Sequence, residues 1–202
     1  MSLIDFSKSS LALSAASVAF NPIFWNLAAR AEYHTKVLTK LAGGNRKYGC
    51  YGLAFTIFSL GILRDVLYER ALRDQPTWQM PAGHDHYYSL AIKAAAVLAF
   101  AYGNLLVVTS MWALGVTGTY LGDYFGILMD ARVTGFPFNV TDNPMYHGST
   151  LSFLGTALWF GKPAGLALTA TVAVMYKLAL RFEEPFTAEI YAKRDRDASK
   201  RE

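Results

Sequence analysis

Four long apolar stretches constrain the fold of this chain more than any other feature of its sequence. They cover about residues 11–29, 48–66, 89–116 and 145–182. A run of about 20 apolar residues is long enough to cross the hydrocarbon core of a bilayer as a helix. Charged residues make up only 17% of the chain, whereas soluble domains average about 25%. We therefore predict an all-α, polytopic integral membrane protein in which residues 1–202 form a single membrane-embedded domain.

Two of the stretches do not predict one straight helix. Asn21-Pro22 interrupts the first stretch, and proline disrupts a helix because it lacks an N–H group and clashes with the preceding turn. This segment is therefore predicted either to span the membrane or to be re-entrant or interfacial. Gly161-Lys162-Pro163 interrupts the fourth stretch and is typical of a turn. The sequence thus predicts a bundle of three or four spanning helices plus an N-terminal re-entrant or interfacial segment.

Basic residues near the ends of spans predict the orientation, because they are enriched on the cytosolic side. The tail over residues 192–202 is the most basic segment, so the C-terminus is predicted to be cytosolic. Arg70 and Arg73 predict the same side for the loop that follows the second stretch. Such a tail suits an anionic lipid surface, and no nucleic-acid partner is expected. The sequence specifies no oligomeric state and is compatible with a homo-oligomer.

The segment between the third and fourth stretches, about residues 117–146, is a candidate site. It is rich in glycine, aromatic and turn-forming polar residues, which is typical of a loop with short elements on the membrane surface. Loops held by a rigid scaffold often contain functional sites. At its end, Pro144 is suited to the first position of a helix with Asn143 as its N-cap. This helix start would offer free N–H groups to a ligand, or it is simply a well-capped helix.

Glu183 and Glu184 lie side by side where the last apolar stretch ends. Ionisable groups at a membrane edge are costly unless they are paired, hydrated or used. Arg181 and Glu184 are three residues apart and can pair on one helix face. Pro185 predicts that the spanning helix stops there and that a second short helix begins. The two carboxylates are interpreted either as a functional site or as an interfacial ion-pair cluster.

No metal site is expected. The sequence contains His34, His84, His86 and His147 and a single cysteine, Cys50, but none of the ligand spacings that make a metal assignment strong. Cys50 is predicted to be a small buried hydrophobe. Within the third stretch, Gly103 permits close approach of another backbone, which is interpreted as helix packing or as room for a flat ligand.

Four segments of the sequence together resemble the phosphatidylethanolamine N-methyltransferase family, and within it the small fungal phospholipid methyltransferases. They are FNPIFWNLAAR, GTYLGDYFGIL, ARVTGFPFNVTDNPMYHGST and EEPFTAEIY. The resemblance extends from about Phe20 to Tyr191. It implies a multi-pass endoplasmic reticulum protein, with a mitochondrial membrane as a second location. It also implies transfer of methyl groups from S-adenosylmethionine to phosphatidyl-N-methylethanolamine and phosphatidyl-N,N-dimethylethanolamine, and the substrate range can include phosphatidylethanolamine.

The resemblance also implies site residues. The family's cofactor motifs correspond to the Glu183-Glu184 pair and to Ala101, Tyr102 and Gly103, where only Gly103 keeps a motif glycine. We expect one glutamate to bind the cofactor and the other to be oriented by Arg181. Further cofactor contacts are expected from Asn143, Tyr146 and Gly148. Asp123 and Tyr124 are expected to assist deprotonation of the lipid amine, with Glu184 as the competing base. The expected head-group contacts are aromatic residues and one arginine for the phosphate: Tyr120, Tyr124, Phe136, Phe138 and Arg132.

Two other interpretations of the sequence stay open. A non-enzymatic polytopic scaffold or transporter would also contain broken helices and buried polar groups. Prenylcysteine carboxyl methyltransferases share the Pro-x-Tyr-x-Gly and Glu-Glu elements with this chain but methylate a carboxylate. Cofactor binding separates the first alternative from a methyltransferase, and the choice of acceptor separates the second.

Overall fold

The computed structural model describes residues 2–78 and 85–200, without the side chains of residues 85–88. These parts of the chain contain helices and no strand. The helices are α1 Ser9–Thr35, α2 Val37–Leu41, α3 Arg46–Asp74, α4 Asp85–Thr119, α5 Pro144–Phe160 and α6 Pro163–Ser199, and a 3₁₀ turn, Gly122–Phe125, lies between α4 and α5. The predicted turn at Gly161 to Pro163 is therefore confirmed.

Four of the helices, α1, α3, α4 and α6, are long and apolar enough to cross a membrane. Their outward faces expose large apolar side chains such as Phe55, Leu98 and Trp112. An exposed apolar surface of this extent is unusual for a soluble monomer, but it suits a protein surrounded by lipid. The predicted all-α, polytopic bundle is therefore confirmed.

The predicted break at Asn21-Pro22 is wrong, because α1 is one helix of 27 residues that contains Pro22. Asn26 Nδ2 donates to the carbonyl oxygen of Pro22 at 3.0 Å, and Asn21 Nδ2 donates to the carbonyl oxygen of Leu60 in α3 at 3.2 Å. Both Asn21 and Pro22 are buried against neighbouring helices. Packing of this kind lets a membrane helix accommodate proline, and α1 has the length of a spanning helix.

Hydrogen bonds define two ends of the bundle. At the end called here the upper end, Lys36 donates to the Tyr124 carbonyl at 3.4 Å and Arg194, near the C-terminus, donates to the Met129 carbonyl at 2.9 Å. At the opposite, lower end, the Asp5 N–H of the N-terminal segment donates to Gln75 Oε1 at 2.8 Å. Lys162 Nζ, in the α5–α6 turn, donates to the Gln75 carbonyl at 2.7 Å. The N-terminal segment and the C-terminal part of α6 thus lie at opposite ends.

The sequence predicted one side for Arg70, Arg73 and the C-terminal tail, and that prediction is wrong. Arg70 and Arg73 are in the last turns of α3, at the lower end, whereas the tail lies at the upper end. The difference arises from α5, whose 17 residues extend about 26 Å and add one more traverse of the bundle. Residues 79–84 of the α3–α4 connection lie outside the described residues.

Glycines bring α4 and α5 into backbone contact. A Cβ atom on Gly103 would lie 2.5 Å from the carbonyl oxygen of Gly148, and a Cβ atom on Gly155 would lie 2.6 Å from the carbonyl oxygen of Ala96. No real side chain fits at these distances, so α4 and α5 form a tight antiparallel pair. Small residues at such contacts are typical of helix packing in membranes.

We expect Gly155→Ala to lower the stability of the folded protein by about 1–3 kcal/mol, because the added methyl group overpacks the α4–α5 contact. The measurement is thermal unfolding of the purified protein in detergent. Gly52→Ala is the matched control, since a Cβ atom there meets nothing within 4 Å. Equal or higher stability of Gly155→Ala relative to Gly52→Ala would contradict the contact.

Candidate active site

A cavity of about 550 Å³ lies between α1, α3, α4, α5 and α6, beneath the loop that follows α4. Its volume falls within the range of small-molecule binding sites, about 300–1,000 Å³. Six of the residues selected from the sequence line it: Tyr120, Asp123, Phe138, Asn143, Tyr146 and Glu183. The structure thus brings together residues from the predicted site loop, the α5 start and the Glu-Glu pair.

The helix α6 continues through Pro185, so the predicted helix stop at this residue is wrong. Near this proline, α6 is tied to α1, because Arg30 Nη2 donates to the Phe182 carbonyl at 2.7 Å. Because the helix continues, residues seven or four positions apart share one face. This face lines the cavity with Tyr176, Glu183, Thr187 and Tyr191.

Three side chains hold the carboxylate of Glu183. Oε1 accepts from Trp25 Nε1 at 2.6 Å and from Asn26 Nδ2 at 2.7 Å, and Oε2 accepts from the Tyr146 hydroxyl at 2.5 Å. Hydrogen bonds to a carboxylate are stronger than neutral ones, so Glu183 joins α1, α5 and α6. A carboxylate has about four acceptor positions, which leaves Oε2 able to accept one more donor.

Glu184 has a different environment. It is exposed, and its Oε1 accepts from Asn143 Nδ2 at 2.9 Å. Asn143 occupies the predicted N-cap position of α5 with Pro144 in the first turn, but its side chain makes no cap hydrogen bond. Arg181 is also exposed and pairs with neither glutamate in the described structure. The partners of the two glutamates therefore come from α1 and α5.

The 3₁₀ turn positions Asp123. Tyr124 and Phe125 are both 0% exposed and anchor the turn in the core, and the Tyr124 ring stacks on Phe186 with centroids 5.0 Å apart. Leu121, just before the turn, has a φ of 59°, which is unusual for a residue other than glycine. Asp123 faces the cavity, where its Oδ2 accepts from the Thr187 hydroxyl at 2.8 Å.

The charged residues that line the cavity are mostly acidic. They are Asp65, Asp123, Asp142, Glu183 and Arg64. Arg64 pairs with Asp65 at 2.8 Å, and Asp142 pairs with Arg132 on the loop at 2.7 Å. Among the described residues, Asp123 and Glu183 have no lysine or arginine partner. A carboxylate in a cavity of low dielectric is stabilised by a nearby positive charge, so the cavity favours a cationic ligand.

The loop over the cavity is fixed to α6 at Met129. The Met129 N–H donates to the Tyr191 hydroxyl at 3.2 Å, and Arg194 Nη1 donates to the Met129 carbonyl at 2.9 Å. The Arg194 guanidinium also lies 5.0 Å from the centre of the Tyr191 ring. These contacts place Met129 and Phe138 over the cavity.

The other residues selected from the sequence do not line this cavity. Ala101 and Tyr102 are exposed on α4, while Gly103 and Gly148 form the α4–α5 contact described above. Tyr124 is enclosed behind the 3₁₀ turn, and its hydroxyl has no hydrogen-bond partner in the described structure. Two more loop residues, Arg132 and Phe136, are exposed outside the cavity.

Sequence reasoning missed the floor of the cavity. Arg64 Nη1 donates to the Tyr176 hydroxyl at 2.6 Å, and Ser149 lies 3.1 Å from the same hydroxyl. The only signal in the sequence is that Arg64 is a charged residue within the second apolar stretch. Trp25 and Asn26 were part of the FNPIFWNLAAR segment, but nothing in the sequence pairs them with Glu183.

We expect Glu183→Ala to lower the free energy of unfolding by about 1–3 kcal/mol, because buried donors on Trp25, Asn26 and Tyr146 would lose their acceptor. The measurement is chemical unfolding of the ligand-free protein in detergent. The neighbouring change Glu184→Ala is the control and is expected to stay within about 0.5 kcal/mol of the unchanged chain, as is usual for exposed sites. Equal effects of the two substitutions would contradict the assigned contacts.

Comparisons with known proteins identify relatives that cover nearly the whole chain. The family model described as phospholipid methyltransferase matches residues 91–194. A Neurospora crassa phosphatidyl-N-methylethanolamine N-methyltransferase is 63% identical over 98% of this chain and 89% of its own length. The Saccharomyces cerevisiae protein of the same name is 61% identical over 96% of this chain and 90% of its own length.

More distant relatives extend beyond fungi. A phosphatidylethanolamine N-methyltransferase of Rattus norvegicus is 45% identical over 95% of this chain and 92% of its own length. No solved structure matches the chain at a significant level. From the matched family model and from relatives of this identity and coverage, we conclude that the chain belongs to the phospholipid methyltransferase family.

Proposed function

We propose that the chain methylates the head-group amine of phosphatidyl-N-methylethanolamine and phosphatidyl-N,N-dimethylethanolamine to give phosphatidylcholine, and that phosphatidylethanolamine is a further acceptor. The observation that carries the proposal is the pair Asp123 and Glu183, two carboxylates in a cavity within a membrane bundle that have no basic partner among the described residues. Both the amine of the acceptor and the sulfonium of the donor are cations. Relatives named for these lipid substrates support the same activity.

The residues of the cavity fit S-adenosylmethionine, which supplies an electrophilic methyl carbon on a sulfonium. Glu183 Oε2 has an acceptor position left for a ligand ammonium or hydroxyl group, and Tyr146 lies beside it. Thr119 Oγ1 lines the cavity and is buried without a hydrogen-bond partner in the described structure. Together with Asn143, these groups would hold the cofactor against α5 and α6. Glu184 would act through Asn143, because its Oε1 accepts a hydrogen bond from the Asn143 side-chain amide.

Asp123 is the proposed acceptor of the proton that the lipid ammonium must lose before it can react. Thr187 donates to Oδ2, which fixes the carboxylate at the wall of the cavity. Tyr124 sits behind Asp123 with its hydroxyl enclosed, so its proposed contribution is to hold the turn. A base placed in this way contributes about 10²–10⁴-fold to the rate.

Aromatic residues of the loop are proposed to bind the methylated head group. Tyr120 and Phe138 line the cavity near Asp123, and alkylated ammonium groups are attracted to aromatic faces. Arg132 is held beside the cavity by Asp142, and we propose that it also contacts the lipid phosphate, with Phe136 packing on the adjacent acyl region. A carboxylate acceptor, as in prenylcysteine methylation, is disfavoured because the cavity is already acidic.

The basic residues at the upper end support a cytosolic orientation for that end. The connection from α1 to α3 and the first turn of α3 contain Lys36, Lys40, Arg46 and Lys47 and no acidic residue, as expected at a cytosolic membrane surface. We propose an endoplasmic reticulum membrane, with a mitochondrial membrane as a second location, and a cytosolic C-terminus. Fluorescence microscopy with organelle markers tests the location, and protease access to a C-terminal tag in sealed microsomes tests the orientation.

The deciding experiment is methyl transfer from labelled S-adenosylmethionine by the purified chain in detergent–lipid micelles. Phosphatidylethanolamine, its monomethyl and dimethyl forms and a prenylated cysteine are offered separately. We expect label on the monomethyl and dimethyl lipids. Label on the prenylated cysteine alone would replace the acceptor, and absence of cofactor binding would favour a scaffold or transporter.

We expect Asp123→Asn to lower kcat for the dimethyl lipid by about 100-fold or more, because the proposed proton acceptor is lost, while the dissociation constant of S-adenosylmethionine changes little. The two quantities are measured by steady-state kinetics and by calorimetry. Asp130→Asn is the control, since Asp130 is exposed on the same loop and does not line the cavity. Unchanged kcat in Asp123→Asn would remove Asp123 from the mechanism.

A further inference from the structure

The cavity has two chemically different walls. The wall formed by α5 and α6, here called the polar wall, consists of Tyr146, Ser149, Tyr176, Glu183 and Thr187. The facing wall, here called the apolar wall, is formed by α3 and α4. Its apolar part consists of Ile57, Phe58 and Ile62 on α3 and of Val107, Met111 and Leu114 on α4, while Arg64 and Asp65 of α3 line the cavity below it. A site for one polar ligand has no need of an apolar wall of this length.

The apolar wall lies at the surface of the bundle. Phe58 is 53% exposed and Ile62 is 52% exposed, although both line the cavity. They are four residues apart and so lie on one face of α3. Side chains that line a cavity and are also half exposed form its mouth, and here the mouth is between α3 and α4. Because the surrounding side chains are exposed and apolar, such as Leu63 and Val108, this mouth opens toward the bilayer.

The direction of the apolar wall matches that of a lipid in one leaflet. The carboxylate of Asp123 and the loop above it are at the upper end of the cavity. From there, the wall descends along α4 from Leu114 to Val107, seven residues or about 10 Å. A phospholipid in the upper leaflet has its head group at the membrane surface and its acyl chains directed toward the middle of the bilayer, which is the same direction.

The packing of α4 allows such an opening. The close glycine contacts of α4 are with α5, where Gly103 meets Gly148 and Ala96 meets Gly155, and these α4 residues lie at and below the middle of the helix. Farther up, Gly115 breaks the helix with a φ of 63° and a ψ of −178°. The last turn of α4 therefore departs from a straight course next to the mouth.

We propose that the substrate phospholipid enters sideways between α3 and α4, so that its amine reaches Asp123 while its acyl chains stay along the apolar wall and extend into the bilayer. The inference rests on the proposed function and adds the route and the part of the substrate that the protein recognises outside the head group. Apolar contacts of this kind change kcat/KM by about 10–200-fold for small changes in fit.

The test compares a long-chain lipid with a soluble short-chain one. Dioleoyl and dihexanoyl phosphatidyl-N,N-dimethylethanolamine are offered to the full chain in detergent, the latter below its micelle concentration. Ile62→Trp and Leu114→Trp fill the mouth from either side. The matched controls, Leu63→Trp and Val108→Trp, place the same bulk on neighbouring exposed positions that do not line the cavity. Affinity for S-adenosylhomocysteine, measured by calorimetry, checks that each variant is folded.

For Ile62→Trp and Leu114→Trp we expect kcat/KM for the dioleoyl lipid to fall about 10-fold or more, with the dihexanoyl lipid and both control variants within about 2-fold of the unchanged chain. Equal activity of all four variants on the dioleoyl lipid would overturn the proposed route. Equal loss on both lipids would overturn it as well, because the effect would then lie at the reacting centre. Failure of the unchanged chain to methylate either lipid would instead refute the proposed function.

Discussion

The carboxylate of Glu183 is the interaction on which the rest of the site depends. Its donors come from α1 and α5, while the residue itself is on α6. One charged group therefore joins α1 to α5 and α6, which lie more than 100 residues farther along the sequence. In a membrane, such a group is costly unless it is fully bonded or used, and Glu183 is both held by the protein and exposed to the cavity on Oε2. Structural and chemical roles coincide at this residue.

Much of the fold could be predicted from the sequence, because its strongest signals are local. The apolar stretches indicated the spanning helices, and Gly161 to Pro163 indicated the turn between α5 and α6. Two of the three errors concern proline, and the third is the side predicted for Arg70 and Arg73. Next to each proline, the helix makes a contact with another helix: Asn21 donates to the Leu60 carbonyl of α3, and Arg30 of α1 donates to the Phe182 carbonyl. These contacts depend on tertiary packing, which cannot be read from the sequence immediately around a proline.

The candidate site was only partly predictable, for a related reason. A glutamate pair, a capped helix start and a glycine-rich loop are visible along the sequence, and the cavity brings residues of all three together. The contribution of α1 and the Arg64–Tyr176 contact were not foreseeable, since each joins residues more than 100 positions apart. In the same way, the sequence presented Gly103 as either a packing or a ligand-binding glycine, and only the position of Gly148 indicates how tightly it is enclosed.

The glycine contacts between α4 and α5 have a mechanical consequence. Two helices whose backbones touch cannot slide or separate without losing that contact, so α4 and α5 behave as one rigid hairpin. If a two-chain lipid enters between α3 and α4 as proposed, the displacement is expected to occur between α3 and this hairpin rather than within the hairpin. In this chain, α3 is therefore expected to move relative to the α4–α5 hairpin. Opening and closing of the cavity mouth on the microsecond scale and longer is thus expected to move the α3 side and not the α4–α5 side.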